Sequence, residues 1–344
     1  MKPDSYRAAI YRGIGKVDVV DLPYPECGDD DVIVRNLMCG VCGSDIHAFR
    51  HGGDEHMIWK DHEFGHEALS EVVEIGSNVK GLSVGDHVFP NQGKALRDMN
   101  RMGTVGGFSE FIRIPQCEVG YSVLKIDNDI PVRTAVLFEP FVIGTRGALS
   151  LGPGPGKGAI VFGGGIIGMS AAIMLSWLGC DKVMVVDISE FRLENAKSFG
   201  LVTCNPAKED LAQKALAEFG SQQTFFGERC GADLYLDAIG MKVAIDNFAM
   251  LAGREARLAI VGVHHEPVPL DLLQVCYGNW HIGGCGNIAI EDAVGEIVAM
   301  MKSGRFDLSS LVTHEYGVDR IEEALVMGGN AGEAQKVCVS FEPA

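Results

Sequence analysis

Cys42, His66 and Glu67 are the residues whose types and spacing suggest chemistry most directly. Cys42 lies in the run Cys-Gly-Val-Cys-Gly-Ser-Asp-Ile-His at 39–47, and the other two are adjacent in Gly-His-Glu at 65–67. A thiolate, an imidazole and a carboxylate are all ligands that Zn²⁺ accepts, and a catalytic zinc needs three protein ligands plus an open position. The sequence therefore predicts a metal site that activates a bound molecule.

His62 and Glu63 create a second interpretation, because His-Glu-Phe-Gly-His at 62–66 also matches the zinc-protease pattern H-E-x-x-H. In that pattern both histidines lie on one helix face and the glutamate acts as the base. The flanking residues are typical of a loop that leads into a strand, not of a helix. The protease interpretation also leaves the glycine-rich segment below unexplained, so it is not favoured, and His62 is then expected to be solvated or at a pocket edge.

The segment Gly-Gly-Gly-Ile-Ile-Gly, which begins at Gly163, has the spacing of a dinucleotide-binding loop. It follows an apolar strand-like run and precedes an apolar helix-like run. Gly163 would permit the tight turn, Gly165 would let the backbone approach a pyrophosphate, and Gly168 would let helix and strand pack closely. The motif predicts a nicotinamide dinucleotide site that includes Ile166 and Ile167.

Asp187 indicates which dinucleotide is bound. It ends the apolar run Lys-Val-Met-Val-Val-Asp, about 20 residues after the glycine-rich segment. A carboxylate at this position accepts hydrogen bonds from the adenosine ribose hydroxyls and repels a 2′-phosphate. NAD is therefore predicted and not NADP. Arg192 follows on the next expected helix, where it could cover the adenine or be an ordinary solvated helix residue.

These residues must be positioned by two regions with different patterns. The first part of the chain reads as short strands with Gly-rich connections, which predicts a β-rich unit. From residue 158 onward, apolar strands alternate with helical patterns, which predicts a doubly wound parallel sheet covered on both faces. Its expected strands are 158–163, 182–187, 201–204, 233–237, 257–262 and 280–285. Helices at 291–302 and 319–327 and a strand at 336–341 are expected to follow.

Length, composition and charge limit the classes of protein that this chain can be. The 344 residues are more than one ordinary core holds and suit two domains. The net charge of −17 repels nucleic-acid phosphates and anionic lipid surfaces. The sequence starts without a signal-peptide pattern and contains no apolar run long enough to span a membrane. A cytoplasmic protein is therefore expected, with most of its ten cysteines reduced.

Taken together, the motifs resemble the zinc-dependent medium-chain alcohol and polyol dehydrogenases, in particular the sorbitol dehydrogenase-like branch. The similarity extends over nearly the whole chain. It is carried by Cys-Gly-Ser-Asp at 42–45, Gly-His-Glu at 65–67, Glu-Ile-Gly at 74–76, Gly-Asp-His-Val at 85–88, Gly-Gly-Phe-Ser-Glu-Phe at 106–111, Glu-Pro at 139–140, the loop at 163–168 and Ile-Val-Gly-Val at 260–263.

The resemblance implies an α/β fold in which a Rossmann domain, 148–285, is inserted in a β-rich GroES-like catalytic domain formed by 1–147 and 286–344. It also implies Zn²⁺ and NAD as cofactors, a small-molecule substrate, and assembly into a homodimer or homotetramer.

By the same resemblance, Cys42, His66 and Glu67 form the metal shell, and Glu139 is a further carboxylate near the metal. Whether either glutamate binds zinc directly or through water stays open. Asp45 resembles the carboxylate that orients the histidine ligand.

The resemblance also assigns roles to residues beside the metal and the cofactor. Ser44 and His47 resemble the hydroxyl and imidazole that carry the substrate proton outward; an ordinary surface histidine is the alternative for His47. Val261, Gly262 and Val263 are expected to contact the cofactor.

One departure from the family concerns a second zinc ion. Family members often hold a structural zinc on four closely spaced cysteines, but the corresponding residues here, 89–107, contain no cysteine. One zinc ion per chain is therefore expected.

The implied reaction is reversible hydride transfer between NAD and a secondary alcohol of a polyol, sugar or cyclitol. Threonine and phosphorylated polyols are alternative substrates within the family, and a non-catalytic NAD-binding protein is the alternative in a different class. Eight residues could face a substrate or could be ordinary surface residues: His51, His56, Trp59, Lys60, Arg97, Arg101, Arg146 and Asn287.

Overall fold

The computed structural model describes residues 2–286 and 288–341. The chain forms two compact units, one made of the residues up to Glu139 together with those from Asp307 onward, and one made of Pro140–Phe306. We call them the two-segment unit and the inserted unit. The limits expected from the sequence, 147/148 and 285/286, stay a prediction.

The inserted unit extends beyond those limits at both ends, for a packing reason. Gly144 lies so close to Ser170 that a Cβ would overlap the Ser170 hydroxyl. At the other end, Glu296 accepts a hydrogen bond of 2.9 Å from the Trp177 indole. Ser170 and Trp177 lie on the helix that follows the glycine-rich loop. The first contact joins this helix to the helix that contains Gly144, and the second joins it to the helix that contains Glu296.

The strands are, in chain order, β1 (Ser5–Gly13), β2 (Lys16–Pro23), β3 (Val32–Gly40), β4 (His62–Glu63), β5 (Glu67–Ile75), β6 (His87–Pro90), β7 (Phe111–Ile114), β8 (Val123–Ile126), β9 (Gly158–Phe162), β10 (Lys182–Val186), β11 (Val202–Cys204), β12 (Ser221–Thr224), β13 (Gly227–Cys230), β14 (Leu234–Asp237), β15 (Arg257–Ile260), β16 (His281–Gly284), β17 (Val312–Gly317) and β18 (Lys336–Ser340).

The helices are α1 (Gly43–His51), α2 (Val132–Ala135), α3 (Phe138–Ser150), α4 (Ile166–Trp177), α5 (Glu190–Ser198), α6 (Leu211–Phe219), α7 (Lys242–Leu251), α8 (Leu272–Gly278), α9 (Ile290–Ser303) and α10 (Ile321–Gly328). Short 3₁₀ turns lie at Asp54–His56, Leu308–Leu311 and Val318–Arg320. Among the residues described, no helix is both long and apolar enough to cross a membrane.

The inserted unit contains the predicted doubly wound sheet. Its six parallel strands run in the order β11-β10-β9-β14-β15-β16, the strand order of a dinucleotide-binding fold. Each strand lies within one or two residues of its expected position because buried parallel strands are nearly continuous apolar runs. The prediction of a Rossmann-type α/β fold is confirmed.

The two-segment unit is β-rich, as expected. A three-stranded sheet has the order β2-β1-β4, and a second sheet has the order β17-β18-β3-β5-β6-β8 with β7 also paired to β3. Cys39, Ala68 and Val339, one each from β3, β5 and β18, are fully buried in one apolar cluster. β18, near the end of the chain, therefore pairs with β3, near its start, in the same sheet.

Candidate functional site

The register of three neighbouring strands brings the predicted metal ligands together. Gly40, at the end of β3, pairs with Glu67 of β5 on one side and with Cys338 of β18 on the other. Cys42 follows two residues later and caps α1, while His66 directly precedes β5. The ligand atoms of Cys42, His66 and Glu67 all lie within 4.8 Å of one another. The side chains thus converge although they are far apart in sequence.

Lys336 is a buried cation in this site that the sequence analysis missed. Its ammonium forms an ion pair with Glu67, and both side chains are only 1% exposed. It also donates a hydrogen bond of 2.8 Å to the Val41 carbonyl. Burial alone would lower the pKa of Lys336, but the charges of Glu67 and Cys42 outweigh burial and raise the pKa above its ordinary value. A lysine at the start of an otherwise apolar strand was the feature of the sequence that could have drawn attention to Lys336.

Gly40 leaves the room that this ion pair needs. A Cβ at Gly40 would overlap the Glu67 carboxylate and lie 2.6 Å from Cε of Lys336. Real Cβ atoms do not approach other atoms so closely, so a side chain here would displace one partner of the pair. The strand end must therefore be glycine for Glu67 and Lys336 to meet.

Asp45 is fully buried beside the convergent ligands. Its carboxylate accepts a 2.9 Å hydrogen bond from the Cys42 amide, which fixes the start of α1. Burial raises the pKa of Asp45 to about 6, although His66 acts in the opposite direction. In the described part of the chain, Asp45 Oδ1 and His66 Nδ1 have no hydrogen-bond partner. Asp45 therefore acts on His66 through its charge, without the direct hydrogen bond expected of an orienting carboxylate.

The electrostatics of the site favour a bound cation. Burial alone would lower the pKa of His66, but the charges of Cys42, Asp45 and Glu139 more than offset burial and hold the pKa well above its ordinary value. The acidic groups around this site outnumber Lys336 and His66, and a divalent cation would balance the excess. Thiolate, imidazole and carboxylate oxygen are also the ligand types of zinc. The residues present therefore fit a zinc ion.

Glu139 lies near this group but outside the compact set of three ligands. It is in the first turn of α3. Burial and then the charge of Glu67 raise the pKa of the Glu139 carboxyl. Of the two candidate glutamates, Glu67 is the one whose carboxylate lies within 4.8 Å of the ligand atoms of both Cys42 and His66.

Ser44 and His47, the predicted proton carriers, both lie on α1. The Ser44 hydroxyl is buried and has no hydrogen-bond partner among the described residues. His47 lies one turn further along, with its ring centroid 5.0 Å from those of His51 and His56. The hydroxyl is therefore available to a ligand, and the imidazole sits among other histidines.

The segment 62–66 does not form a protease-type helix. His62 and Glu63 form β4, in which His62 pairs with Tyr11, and Gly65 has a positive φ of 92°. Glu63 is buried and accepts hydrogen bonds from Ser109 (2.7 Å) and Arg101 (2.8 Å). Glu63 is therefore a structural carboxylate, and the geometry of the H-E-x-x-H pattern is excluded.

Several residues considered for substrate contact are engaged elsewhere. Arg101 pairs with Glu63, Arg97 donates to the Gln92 and Ala95 carbonyls, and Arg146 donates to the Ile288 carbonyl. The Trp59 ring packs edge-on against the His62 ring. Nδ1 of His62 lies 2.8 Å from the Lys60 carbonyl oxygen. Asn287 lies outside the described residues. Arg97 thus stabilises its own loop, whereas Arg101 and Arg146 each join two segments that are distant in sequence.

The glycine-rich loop has the shape that the sequence predicts. It leaves β9 at Gly163, whose φ of 101° favours glycine, and enters α4 after Gly165. A Cβ at Gly168 would overlap the Gly163 carbonyl, so helix and strand approach closely only because Gly168 lacks a side chain. Ile166 and Ile167 form the first turn of α4. A helix N-terminus of this kind favours an anionic group such as a pyrophosphate.

Asp187 lies at the rim of this loop, directly after β10. Its two carboxylate oxygens accept hydrogen bonds from the Gly164 amide (2.6 Å) and the Ser189 amide (2.8 Å). Arg192 of α5 places its guanidinium 4.0 Å from the same carboxylate. Both residues therefore border the loop, and the guanidinium is held beside it by charge.

Val261, Gly262 and Val263 follow β15 at the same carboxyl edge of the sheet as the glycine-rich loop. A Cβ at Gly262 would overlap the Gly240 amide, and the Val263 side chain is 68% exposed. The carboxyl edge of a doubly wound sheet is where ligands bind, which agrees with the predicted cofactor contact.

Asp237, at the end of β14, is a further buried carboxylate that the sequence analysis missed. It accepts hydrogen bonds from the Ile239 and Gly240 amides and lies 2.6 Å from Nε2 of His264. An aspartate that ends an apolar strand, as Asp187 does, was the signal that could have found it. The pair fixes the turn beside the glycine-rich loop.

Two family models match the chain. The alcohol dehydrogenase GroES-like domain matches residues 28–124, within the two-segment unit, and the zinc-binding dehydrogenase domain matches residues 167–303, within the inserted unit. This chain belongs to the zinc-dependent medium-chain dehydrogenase family. The predictions of this family, of a GroES-like domain combined with a Rossmann domain, and of an oxidoreductase are therefore confirmed.

The curated relatives include proteins named L-threonine 3-dehydrogenase. That of Proteus mirabilis is 27% identical and that of Klebsiella pneumoniae 28% identical, each over 94% of this dehydrogenase and 96% of the relative. Among solved structures, 2R,3R-butanediol dehydrogenase from Bacillus subtilis has a TM-score of 0.83 at 22% identity, covering 98% of this chain and all of its own. Galactitol-1-phosphate dehydrogenase from Escherichia coli has a TM-score of 0.82 at 22% identity, and the match covers 97% of this chain and 100% of that protein. These structures support the fold alone.

The buried ion pair predicts a large effect of Lys336→Met on stability. The change leaves the Glu67 carboxylate buried without its cation, and breaking a buried pair in this way costs about 3–5 kcal/mol. We expect the free energy of unfolding of the metal-free dehydrogenase, measured by urea denaturation, to fall by about that amount. Glu67→Gln introduced into Lys336→Met should restore part of the loss.

Lys80→Met removes an exposed lysine and serves as the matched control. Its unfolding free energy should change by less than about 0.5 kcal/mol. Equal effects of Lys336→Met and Lys80→Met would contradict the role assigned to the buried pair.

Proposed function

We propose that this dehydrogenase oxidises a secondary alcohol reversibly, with NAD as hydride acceptor and a zinc ion held by Cys42, His66 and Glu67. The observation that carries the proposal is the convergence of these three ligand types in one group, in which His66 and Glu67 are buried and Cys42 is partly exposed. The glycine-rich loop with Asp187 in the inserted unit supports the assignment of the dinucleotide. A binding protein without catalysis would have no use for the three metal ligands.

In the proposed mechanism, zinc supplies Lewis acidity that lowers the pKa of the substrate hydroxyl, and NAD supplies the hydride-accepting ring. The chain's own residues do the rest. Cys42, His66 and Glu67 bind the metal, while Asp45 holds the start of α1 and stabilises His66 by its negative charge. The Ser44 hydroxyl takes the proton of the substrate alcohol and passes it toward His47 on the same helix.

Lys336 partly balances the negative charge of this site. It neutralises part of the Glu67 charge, so that Glu67 is a weaker anion toward the metal than a lone carboxylate. Burial and the charge of Glu67 raise the pKa of the nearby Glu139 carboxyl. A site whose charge is partly balanced in this way suits an uncharged substrate.

The substrate that we propose is a secondary alcohol of a polyol, sugar or cyclitol. Threonine is the second candidate, because the curated relatives at 27–28% identity are named L-threonine 3-dehydrogenase. Recognition of threonine would need a cation for its carboxylate. Arg101 is neutralised by Glu63, which favours a neutral substrate, whereas Arg97 and Arg146 donate to backbone carbonyls and keep their charge.

A panel of substrates tests this choice. NADH formation should be measured with sorbitol, myo-inositol, 2,3-butanediol, threonine and a polyol phosphate, each with the zinc-loaded enzyme. Highest kcat/KM on a neutral polyol or cyclitol supports the first candidate. Highest kcat/KM on threonine would replace it by the second, and NADH binding without turnover on any alcohol would favour the non-catalytic alternative. The predicted homo-oligomer and cytoplasmic location stay predictions.

Cys42→Ala should remove turnover without removing cofactor binding. The variant lacks a metal ligand, and since even the outer partners of metal ligands change activity by about 10–100-fold, we expect a loss of more than about 100-fold in kcat. NADH affinity, measured by fluorescence titration, should stay unchanged because the cofactor loop lies in the other unit. Cys27→Ala, which removes another partly exposed thiol, is the control. Full turnover by metal-free Cys42→Ala would refute the zinc mechanism.

Asp187→Asn should relax the choice of dinucleotide. The amide keeps the shape of the side chain but removes the charge that would repel a 2′-phosphate, and like-charge contact costs several kcal/mol. We expect the ratio of kcat/KM with NADP to that with NAD to rise by at least about tenfold. Glu194→Gln removes an exposed carboxylate of the following helix and should leave the ratio unchanged. An unchanged ratio in Asp187→Asn would mean that another residue selects the cofactor.

A further inference from the structure

A second cluster of metal-ligating side chains lies one helical turn beyond the start of α1. The ligand atoms of His47, Glu55 and His56 all lie within 4.8 Å of one another. The His51 ring centroid is 5.0 Å from that of His47. Within residues 2–286 and 288–341, two groups of at least three metal-ligating side chains lie this close together, and the group around Cys42 is the other one. We call these four residues the histidine cluster.

The chain holds the histidine cluster in place through a helix and a tight turn. His47 and His51 are one turn apart on α1, so their side chains lie on the same face. The helix stops at Gly52, whose φ is 114°, and the chain folds back through the 3₁₀ turn Asp54–His56. This return brings Glu55 and His56 against His47.

Gly53 and Ile58 fix the course of that turn. The Ile58 amide donates a 3.0 Å hydrogen bond to the Gly53 carbonyl, and the Ile58 side chain is 1% exposed. A Cβ at Gly53 would overlap the Ile58 backbone, so the close approach depends on glycine. The turn is thus anchored in the core while Glu55 stays exposed.

The chemistry of the histidine cluster suits a divalent transition metal. Imidazole nitrogen and carboxylate oxygen bind Zn²⁺ at about 2.0–2.2 Å, which places tetrahedral ligands about 3.3–3.5 Å apart. Glu55 is exposed and both histidines are partly exposed, so rotation of these side chains can close the remaining distance. Asp54 adds a further negative charge beside them. His51 or water could complete the coordination.

We propose that His47, Glu55 and His56 form a second zinc site, weaker than the site at Cys42. It is weaker because it lacks a thiolate and its ligands are exposed or partly exposed, whereas His66 and Glu67 of the first site are buried. Occupancy would engage the imidazole of His47. Since the proposed function assigns the substrate proton to His47, excess zinc should then inhibit turnover; this consequence, unlike the site itself, rests on the proposed function.

The site is tested by zinc stoichiometry, which does not depend on activity. Wild-type enzyme already loaded at Cys42 is dialysed against increasing free Zn²⁺, and zinc per chain is measured by mass spectrometry. We expect the wild type to bind a second zinc ion, and Cys42→Ala to bind a zinc ion at the histidine cluster. The double variant Glu55→Gln/His56→Gln should bind no second ion at the same free concentration. His62→Gln, which removes a neighbouring histidine outside the cluster, should retain the second ion.

Two further results decide the proposal. The double variant should keep its first zinc ion and its circular dichroism spectrum, which shows that it is folded. Second-site affinity in the single variant His56→Gln should fall by at least about tenfold, since a direct ligand is lost. The proposal is overturned if the wild type takes up no second ion, or if the double variant takes it up equally well. If the second ion binds and turnover is unaffected, the site stands and its link to His47 is refuted.

Discussion

The pairing of Gly40 with Glu67 and Cys338 is the constraint on which the candidate active site depends. A strand pairing fixes the face on which every side chain lies, and a slip by one residue would turn Glu67 away from Cys42. The same pairing places Lys336, two residues before Cys338, against Glu67. Buried apolar residues of the three strands, Cys39, Ala68 and Val339, keep the register from slipping. Sheet packing thus decides where the chemistry can occur.

Charge balance is the second requirement that the strands impose. The convergence of Cys42, Asp45, Glu67 and Glu139 concentrates negative charge in a poorly hydrated place, which is unfavourable unless cations accompany it. Lys336 is a cation that the chain itself provides, and the charges of Cys42, Asp45 and Glu139 raise the pKa of His66 despite its burial, so the site stabilises positive charge. A divalent metal meets the same demand more completely. The geometry and the electrostatics of the site therefore favour the same occupant.

Much of the fold could be predicted from the sequence because its signals are local. The strands of the inserted unit are continuous apolar runs, and the glycines at 163 and 168 report a tight turn and a close approach. The hairpin of β12 and β13 was not predicted, since Ser-Gln-Gln-Thr carries no apolar alternation. Residue types, spacing and the family resemblance all pointed to Cys42, His66 and Glu67, but none of them could show that Lys336 contacts Glu67. Such a contact depends on the register of strands from opposite ends of the chain.

The histidines of α1 were difficult for a related reason. Their spacing shows that His47 and His51 share a helix face, yet the return of the chain at Gly52 and Gly53 that brings His56 close is visible only in three dimensions. Likewise, the sequence made Arg101 a candidate for substrate contact, whereas the structure shows it in an ion pair with Glu63. Long-range partners decide these roles, and a single sequence does not contain them.

The central claim is that one thiolate, one imidazole and one carboxylate bind the same metal ion. Zinc K-edge X-ray absorption on enzyme loaded with a single equivalent of zinc tests it most directly. The account predicts one sulfur at about 2.3 Å together with nitrogen and oxygen at about 2.0–2.2 Å, and loss of the sulfur contribution in Cys42→Ser. A spectrum with nitrogen and oxygen alone in the wild type would contradict it.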